Sequence, residues 1–411
     1  MTKRVVVIGA GAAGTMAAIF AAQAGAETVL LERTKDGGRK ILISGGGRCN
    51  VLPSVVNESR FITDSSPNLL RKMVRAWPLA EQRAFFEDTL GIPLEEETES
   101  LKLFPASHKA RDVRDGLLRH AREVGVQMRM DTRVTDITPV ALGWEVSVDN
   151  DGPLSADAVI VATGGLSVPN TGSDGAGLAI LARMGHVMHP SYAALTPLTS
   201  TAPAFNDLSG ISLRVSLSAK SEKRAAQATG GFLFTHHGYS GPSVLDVSHV
   251  MVRSRAESHA PTQLSVQWTA LGDAEWEAAL KPHGARTVTG ALRAEMPDRL
   301  AAVLLAQADV DATRALSELR REERLRLINV LVRGALPWHG DEGYKKAEVT
   351  GGGVALNEVD SRTMESKRHA GLFLCGEVLD AFGPIGGYNF LWAWATGRAA
   401  GMGAAAAIAA R

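Results

Sequence analysis

The residues best placed to do chemistry stand in glycine-rich clusters, and the first of them is VVVIGAGAAG, Val5 to Gly14, followed by TVLLE ending at Glu32. Gly9, Gly11 and Gly14 hold the GxGxxG spacing. Gly9 permits a sharp turn, Gly11 admits a pyrophosphate to the backbone, and Gly14, beside Ala13, lets a helix sit close on the strand. The helix N-terminus offers its N–H groups to phosphate, and Glu32 would accept from ribose hydroxyls. The unit predicts a dinucleotide site, for FAD or for NAD. A turn this near the start, with an acid rather than a base at 32, suits the adenosine half of FAD.

Three further clusters follow: GGRKILISGGGRCN at 37–50, TGGGV at 350–354 and GEVLDAFGPIGGYNFLWAWATG at 376–397. Each puts N–H groups beside a strand or helix end, so that together they could wrap one long, anionic, partly planar ligand. A second glycine turn, Ala162-Thr163-Gly164, ends the apolar run ADAVIVATGG, where a flavin-binding fold would return beside its cofactor. GSDGAG at 172–177 follows no clear strand, so a resident nicotinamide site is not expected and NAD(P)H would serve only as a transient reductant.

Cys49 and Cys375 are the only cysteines, and neither sits in a CxxC pair, which removes redox-disulfide chemistry. Cys49 has two readings: a buried small hydrophobe, or a general acid made electropositive by Arg48 and the glycines before it. Cys375, inside LFLCG, reads as packing. His236 and His237 are adjacent, so in a strand or a turn they would point to opposite sides and at most one would readily face a site. No Cys, Asp or further His stands at ligand spacing, and no metal is expected.

The elements that must position these groups can be read from periodicity. Residues 67–90 and 108–123 carry helical spacing, VQMRM, TRVTDI and WEVSVD read as a strand meander, and 166–190 as a loop and a helix. From 193 to 270 the chain reads as short strands with few helix signals. LSELRREERLRLINVLVRGAL reads as two short, charged helices with i,i+4 pairs around Arg320, Arg321, Arg324 and Arg326. Strands and glycines return from Ala347, and GMGAAAAIAAR closes a helix. With 411 residues, 45% hydrophobic, two or three domains are expected. Lys plus Arg equals Asp plus Glu at 44 each, so no global basic field advertises nucleic acid or anionic lipid. No signal-peptide pattern and no membrane-length apolar run is present, which predicts a soluble, cytoplasmic protein.

GGRKILISGGGRCN, FTHHGYSGPSVLDVS at 234–248 and TMESKRHAGLFLCGEVLDAFGPIGGYNFLWAWATG at 363–397 closely resemble the BaiN/RdsA-type family of bacterial FAD-dependent oxidoreductases, a likeness that spans essentially the whole chain. The resemblance implies an α/β fold: a Rossmann-like FAD-binding domain of the GR2 type, discontinuous over 1–191 and 341–411. A β-barrel-like insert at 192–283 and a helical part at 284–340 would interrupt it. It further implies hydride transfer from reduced flavin to an activated C=C bond, in a small enone such as a bile-acid intermediate or in a uridine of large-subunit ribosomal RNA. A non-enzymatic RNA- or ribosome-binding flavoprotein and a flavin-dependent tRNA modification protein are the alternative readings.

Carried onto this sequence, the resemblance puts Gly9, Gly11, Ala13, Gly14 and Glu32 on the ADP half, with Arg33, Arg39 and Lys40 nearby. Ser44, Gly45, Gly46, Arg48, Cys49 and Asn50 would line the isoalloxazine, and Val134, Ala162, Thr163 and Gly164 would also touch the cofactor. Gly376, Glu377 and Asp380 would hold ribityl and pyrophosphate, although Asp380 also suits a turn cap. Gly386, Gly387, Tyr388 and Asn389 would begin a helix whose positive end stabilises reduced flavin, and Tyr388 is a second candidate proton source.

Overall fold

The computed structural model describes residues 3–149, 151–257 and 262–410, and the chain divides into two compact units, Met1–Tyr192 with Val349–Arg411 and Ala193–Glu348. The first is built on a parallel five-stranded sheet. Its centre is β1 (Arg4–Ile8), followed by α1 (Ala12–Gln23) and β2 (Glu27–Leu31). Across the sheet the order is Leu372–Leu374, Ala158–Val161, β1, β2, Gln127–Arg129. The central strands are apolar on both faces, as a sheet covered by helices on both sides requires. Because the chain leaves β1 for β2 on one side and returns to it on the other through Ala158–Val161, the strand order reverses there, and the carboxyl end of β1 is a topological switch point, where open α/β sheets bind ligands.

The run GLFLCG supplies the sheet's last strand from the far end of the chain, and the helix Tyr388–Ala409 then packs on α1. Small residues make that contact: a Cβ on Gly397 would fall 2.4 Å from the Ala13 carbonyl oxygen, and one on Gly401 2.2 Å from that of Ala17. The alanine-rich tail is thus a closing helix because two helix backbones approach there.

Several expected elements differ. The strand Gln127–Arg129 joins the parallel sheet beside β2, and the antiparallel meander is instead Val134–Val140, Gly143–Val148 and Leu154–Ala156. Residues 67–90 are not one helix: Pro67–Arg75 and Leu79–Ala84 are separated at Pro78, and a wider π-type turn follows at Phe85–Thr89.

The second unit carries a seven-stranded sheet whose paired strands all run antiparallel. A 15-residue helix, Pro242–Ala256, runs through the segment read as short strands with few helix signals. Pro242 at its first turn and Val244, Val247, Val250 and Met251 on its buried side are its sequence signals. The arginine-rich segment forms one helix, Arg321–Arg333, after a short 3-10 turn, Leu316–Glu318. Its charges pair with other elements: Arg324 with Glu277 at 3.1 Å and Arg333 with Asp273 at 2.7 Å. Among the described residues no helix is long and apolar enough to cross a membrane.

Candidate functional site

The turn between β1 and α1 is held by close backbone approach. Gly9 has φ +102, and a Cβ on it would fall 2.7 Å from the Ala162 carbonyl oxygen. A Cβ on Gly14 would fall 1.8 Å from the Gly9 oxygen, so α1 sits on the turn at a distance only glycine allows. Gly11 is different, since a Cβ there meets no atom within 4 Å. That cradle opens at the N-terminus of α1, which has no side-chain cap, and the first-turn N–H groups can face an anion. Glu32, buried at the end of β2, accepts from the Ala10 N–H at 2.8 Å and from Thr34 N and Oγ1 at 2.9 and 2.7 Å. Its carboxylate is thereby fixed beside the glycine turn and keeps lone pairs for ribose hydroxyls.

Four segments distant in sequence meet at one carboxylate. Glu377 Oε2 accepts from Lys40 Nζ at 2.7 Å, and Oε1 accepts from Ser167 Oγ and the Thr350 N–H, both at 2.8 Å. Lys40 also donates to Ser167. Thr350 Oγ1 accepts from Leu166 N and Ser167 N at 2.7 and 3.1 Å. Burial raises the Glu377 carboxyl, but the Lys40 charge with hydrogen bonds from Lys40, Ser167 and Thr350 outweighs it and holds the group below its ordinary value. The loop that follows the Ala162-Thr163-Gly164 turn, TGGGV, GEVLD and the GRK of the second cluster are therefore joined. Thr163 Oγ1 is buried without a hydrogen-bond partner among the described residues. Ser167 and Thr350 are not singled out by the sequence: Ser167 lies in the loop after the second glycine turn, and Thr350 opens TGGGV, where the glycines and not the hydroxyl carry the reading.

The GRCN and GGYN blocks touch directly. With its amide oriented to satisfy both groups, Asn50 donates to the Leu52 carbonyl and accepts from the Gly387 N–H, each at 3.1 Å. Gly387 has φ +90, and a Cβ on it would fall 2.3 Å from Leu52 C, which admits only glycine at that contact. Asn389 bonds Gly383 through both amide ends, at 2.9 and 3.0 Å, and fixes the start of the long helix. Gly45, Gly46 and Gly47 form an exposed loop with positive φ throughout, led in by Ser44, whose hydroxyl donates to Ile41 O.

Several expected roles take a different form. Cys49 is fully buried, and burial pushes its thiol up to about 12 against a hydrogen bond with Ser44. This placement favours packing over proton donation, since a general acid must reach the proton's destination. The Tyr388 hydroxyl is engaged by the Asn57 N–H at 3.2 Å and the Val55 carbonyl at 3.3 Å, pinning that loop. Asp380 Oδ2 accepts from Thr63 Oγ1, Asp64 N and both Ser65 N and Oγ, at 2.8–2.9 Å, with His189 Nε2 at 3.6 Å. It caps the 63–65 turn, the plainer of its two readings, and burial first, with Asp64, raises its carboxyl against those hydrogen bonds.

The outlying cations are paired locally: Arg33 with Asp174, Arg39 with Asp36 at 2.8 Å, and Arg48 with Glu97 at 3.0 Å while lying 4.2 Å from the Phe104 ring centre. Val134 begins the meander. Gly376 accepts from the buried Trp392 indole at 3.0 Å and donates to Thr396 at 3.0 Å. Gly386, with positive φ, precedes the long helix. Among the described residues no group of three or more His, Cys, Asp or Glu is placed to hold a metal ion.

The open cradle at Gly11 and the Glu32 carboxylate fixed beside the glycine turn fit a dinucleotide flavin. Comparison with known proteins agrees. The family described as HI0933-like protein Rossmann domain matches residues 3–403. A ribosomal RNA dihydrouridine synthase of Escherichia coli is 31% identical over 402 residues, 95% of each chain. A 3-dehydro-bile acid delta(4,6)-reductase of Clostridium scindens is 31% identical over 413 residues, 98% of this chain and 99% of its own. In fold, a flavocytochrome c3 fumarate reductase is similar with TM-score 0.51 at 17% identity, covering 99% of this chain and 78% of its own.

Proposed function

The chain belongs to the HI0933-like Rossmann-domain family of flavin-dependent oxidoreductases, and on that premise we propose that it reduces a uridine of ribosomal RNA to dihydrouridine, with FAD as cofactor and NAD(P)H as transient reductant. The observation that carries the reading is the full-length likeness to the E. coli synthase. The C. scindens reductase acts on a different molecule at equal identity, so the shared element is a C=C bond made electron-poor by a conjugated carbonyl.

When bound, FAD supplies the hydride chemistry, and the protein binds and orients. The N-terminus of α1 and the Gly9–Gly11 turn would hold the pyrophosphate, and Glu32 would hold the ribose. Lys40, neutralised by Glu377, would fix the GRK segment against the second glycine turn without leaving a net charge there. The uncapped start of the helix Tyr388–Ala409 would present a positive end. With Cys49 buried and the Tyr388 hydroxyl engaged, the proton that completes reduction is assigned to water entering with the substrate. A cytoplasmic setting follows from such a substrate.

The test is a comparison of modified uridines in ribosomal RNA from a deletion strain and its parent. Loss of one dihydrouridine is expected, and its restoration by the gene completes the assignment. Unchanged modification, with purified enzyme reducing enones instead, would move the substrate to the small-molecule class.

A further inference from the structure

The second unit holds an open pocket of about 630 Å³ lined by His236, His237, His339, Glu342, Lys345 and Lys346, with the hydroxyl residues 199–201 completing it. Sequence alternation allowed only one of the adjacent histidines to face a site. Both do, because His236-His237 is the two-residue connection between strands Ala225–Thr235 and Gly238–Ser240, with Thr235 paired to Gly238 across the turn. In a turn the two side chains are released from the strand's alternation.

The lining is chemically one-sided. No side chain in it is apolar, and Glu342 is its only carboxylate. The neighbouring Asp341 is occupied elsewhere, 3.4 Å from Arg255 and accepting from the Gly343 N–H at 2.8 Å. His339 lies 3.3 Å from Thr199 Oγ1. Lys345 and Lys346 are exposed and form no ion pair among the described residues. A metal is not indicated, since no His, Cys, Asp or Glu group there is placed to ligate one. What such a pocket recognises is an oxyanion: ammonium groups, imidazole N–H groups and hydroxyls are all donors, and two positive charges face one negative.

We propose that this pocket binds backbone phosphates of the RNA that carries the target uridine. The proposal rests on the reading of the substrate as ribosomal RNA, and it adds a contact with no part in the chemistry: phosphate contacts place the RNA without reading its sequence.

The test uses the full-length, FAD-loaded protein and a fluorescein-labelled oligouridylate, titrated over a range of salt concentrations. Lys345→Gln with Lys346→Gln should weaken binding and flatten the slope of log affinity against log salt by about 1.4, at roughly 0.7 per phosphate on single strands. Glu342→Gln should act oppositely and tighten binding, which keeps the test decisive if the lysine variant folds poorly. Neither change should alter flavin content or the KM for NAD(P)H. An unchanged slope in the lysine variant, or absence of RNA binding by the parent, overturns the proposal. A raised KM for NADPH with unchanged RNA binding overturns it too and assigns the pocket to the dinucleotide's phosphates. The substrate reading is tested separately by dihydrouridine in the deletion strain, so an unchanged slope beside a missing dihydrouridine removes only the pocket.

Discussion

Lys40 Nζ lies 2.7 Å from Glu377 Oε2, an ion pair between residues 337 positions apart that ties the second glycine cluster to the segment after the last sheet strand. Ser167 and Thr350 complete the carboxylate's shell, so one side chain fixes the relative positions of four chain segments. Rigid placement of binding groups by such support is what holds a cofactor in one orientation.

Glu377→Gln keeps the shape of that junction and removes its charge. Lys40 would be left partly buried without its partner, at a cost between those of exposed and buried pairs, about 1–3 kcal/mol. The Glu377 carboxyl is held below its ordinary value in the fold. Its stabilisation is therefore present above the unfolded-state value near 4.3 and is lost as pH falls through the lower folded value. The difference in Tm between parent and variant should be largest at neutral pH and close below about pH 4. A gap that stays constant from neutral to acid would show that the charge contributes nothing.

Gly11→Val should fold and bind no FAD. A Cβ there meets no protein atom within 4 Å, and Gly11 has an ordinary extended backbone, so the fold should accept the branch, while the space is where the pyrophosphate would approach. Gly14→Val, by contrast, would drive a Cβ to 1.8 Å from the Gly9 oxygen and should fail to fold. Flavin absorbance and the thermal melt distinguish the two. A yellow Gly11→Val protein would move the site away from this turn.

The difference between what was legible and what was not is one of sequence distance. Gly9, Gly11, Gly14 and Glu32 lie within a single βαβ unit, so their spacing alone implied the turn, the helix and the acid beside it. Glu377 and Lys40 could be suspected one at a time, but no local pattern says that they meet, or that Thr350 and Ser167 join them. The helix Pro242–Ala256 was obscured because β-branched Val244, Val247 and Val250 carry strand propensity, which packing on the sheet overrides. Strand Gln127–Arg129 was placed in the meander because a three-residue strand does not show which neighbour it will pair with.

A chain ended at residue 190 should be insoluble and colourless. It lacks Leu372–Leu374, which pairs with Ala158–Val161, and the helix Tyr388–Ala409, which covers α1. Loss of both exposes apolar surface on the sheet and on α1 and removes Glu377 from the junction with Lys40. A soluble, yellow 1–190 fragment would refute the dependence of the first unit on its returning segment.

Cys49→Ala should retain FAD and nearly full turnover. The thiol is buried, its ionisation is pushed up to about 12, and its neighbourhood is the packed core rather than an accessible face. Alanine fills most of the space and accepts the same left-handed backbone, φ 61, at the same cost as cysteine. A positioned proton donor contributes about 10²–10⁴ in rate, so the two roles differ by far more than the error of a kinetic measurement. The measurement is reoxidation of the reduced enzyme by substrate, followed by stopped-flow flavin absorbance. Unchanged reoxidation places Cys49 with Cys375 among the packing residues and leaves water as the proton source. A fall of 10²-fold or more, with FAD content preserved, would restore Cys49 as the general acid and require its thiol to become accessible during turnover.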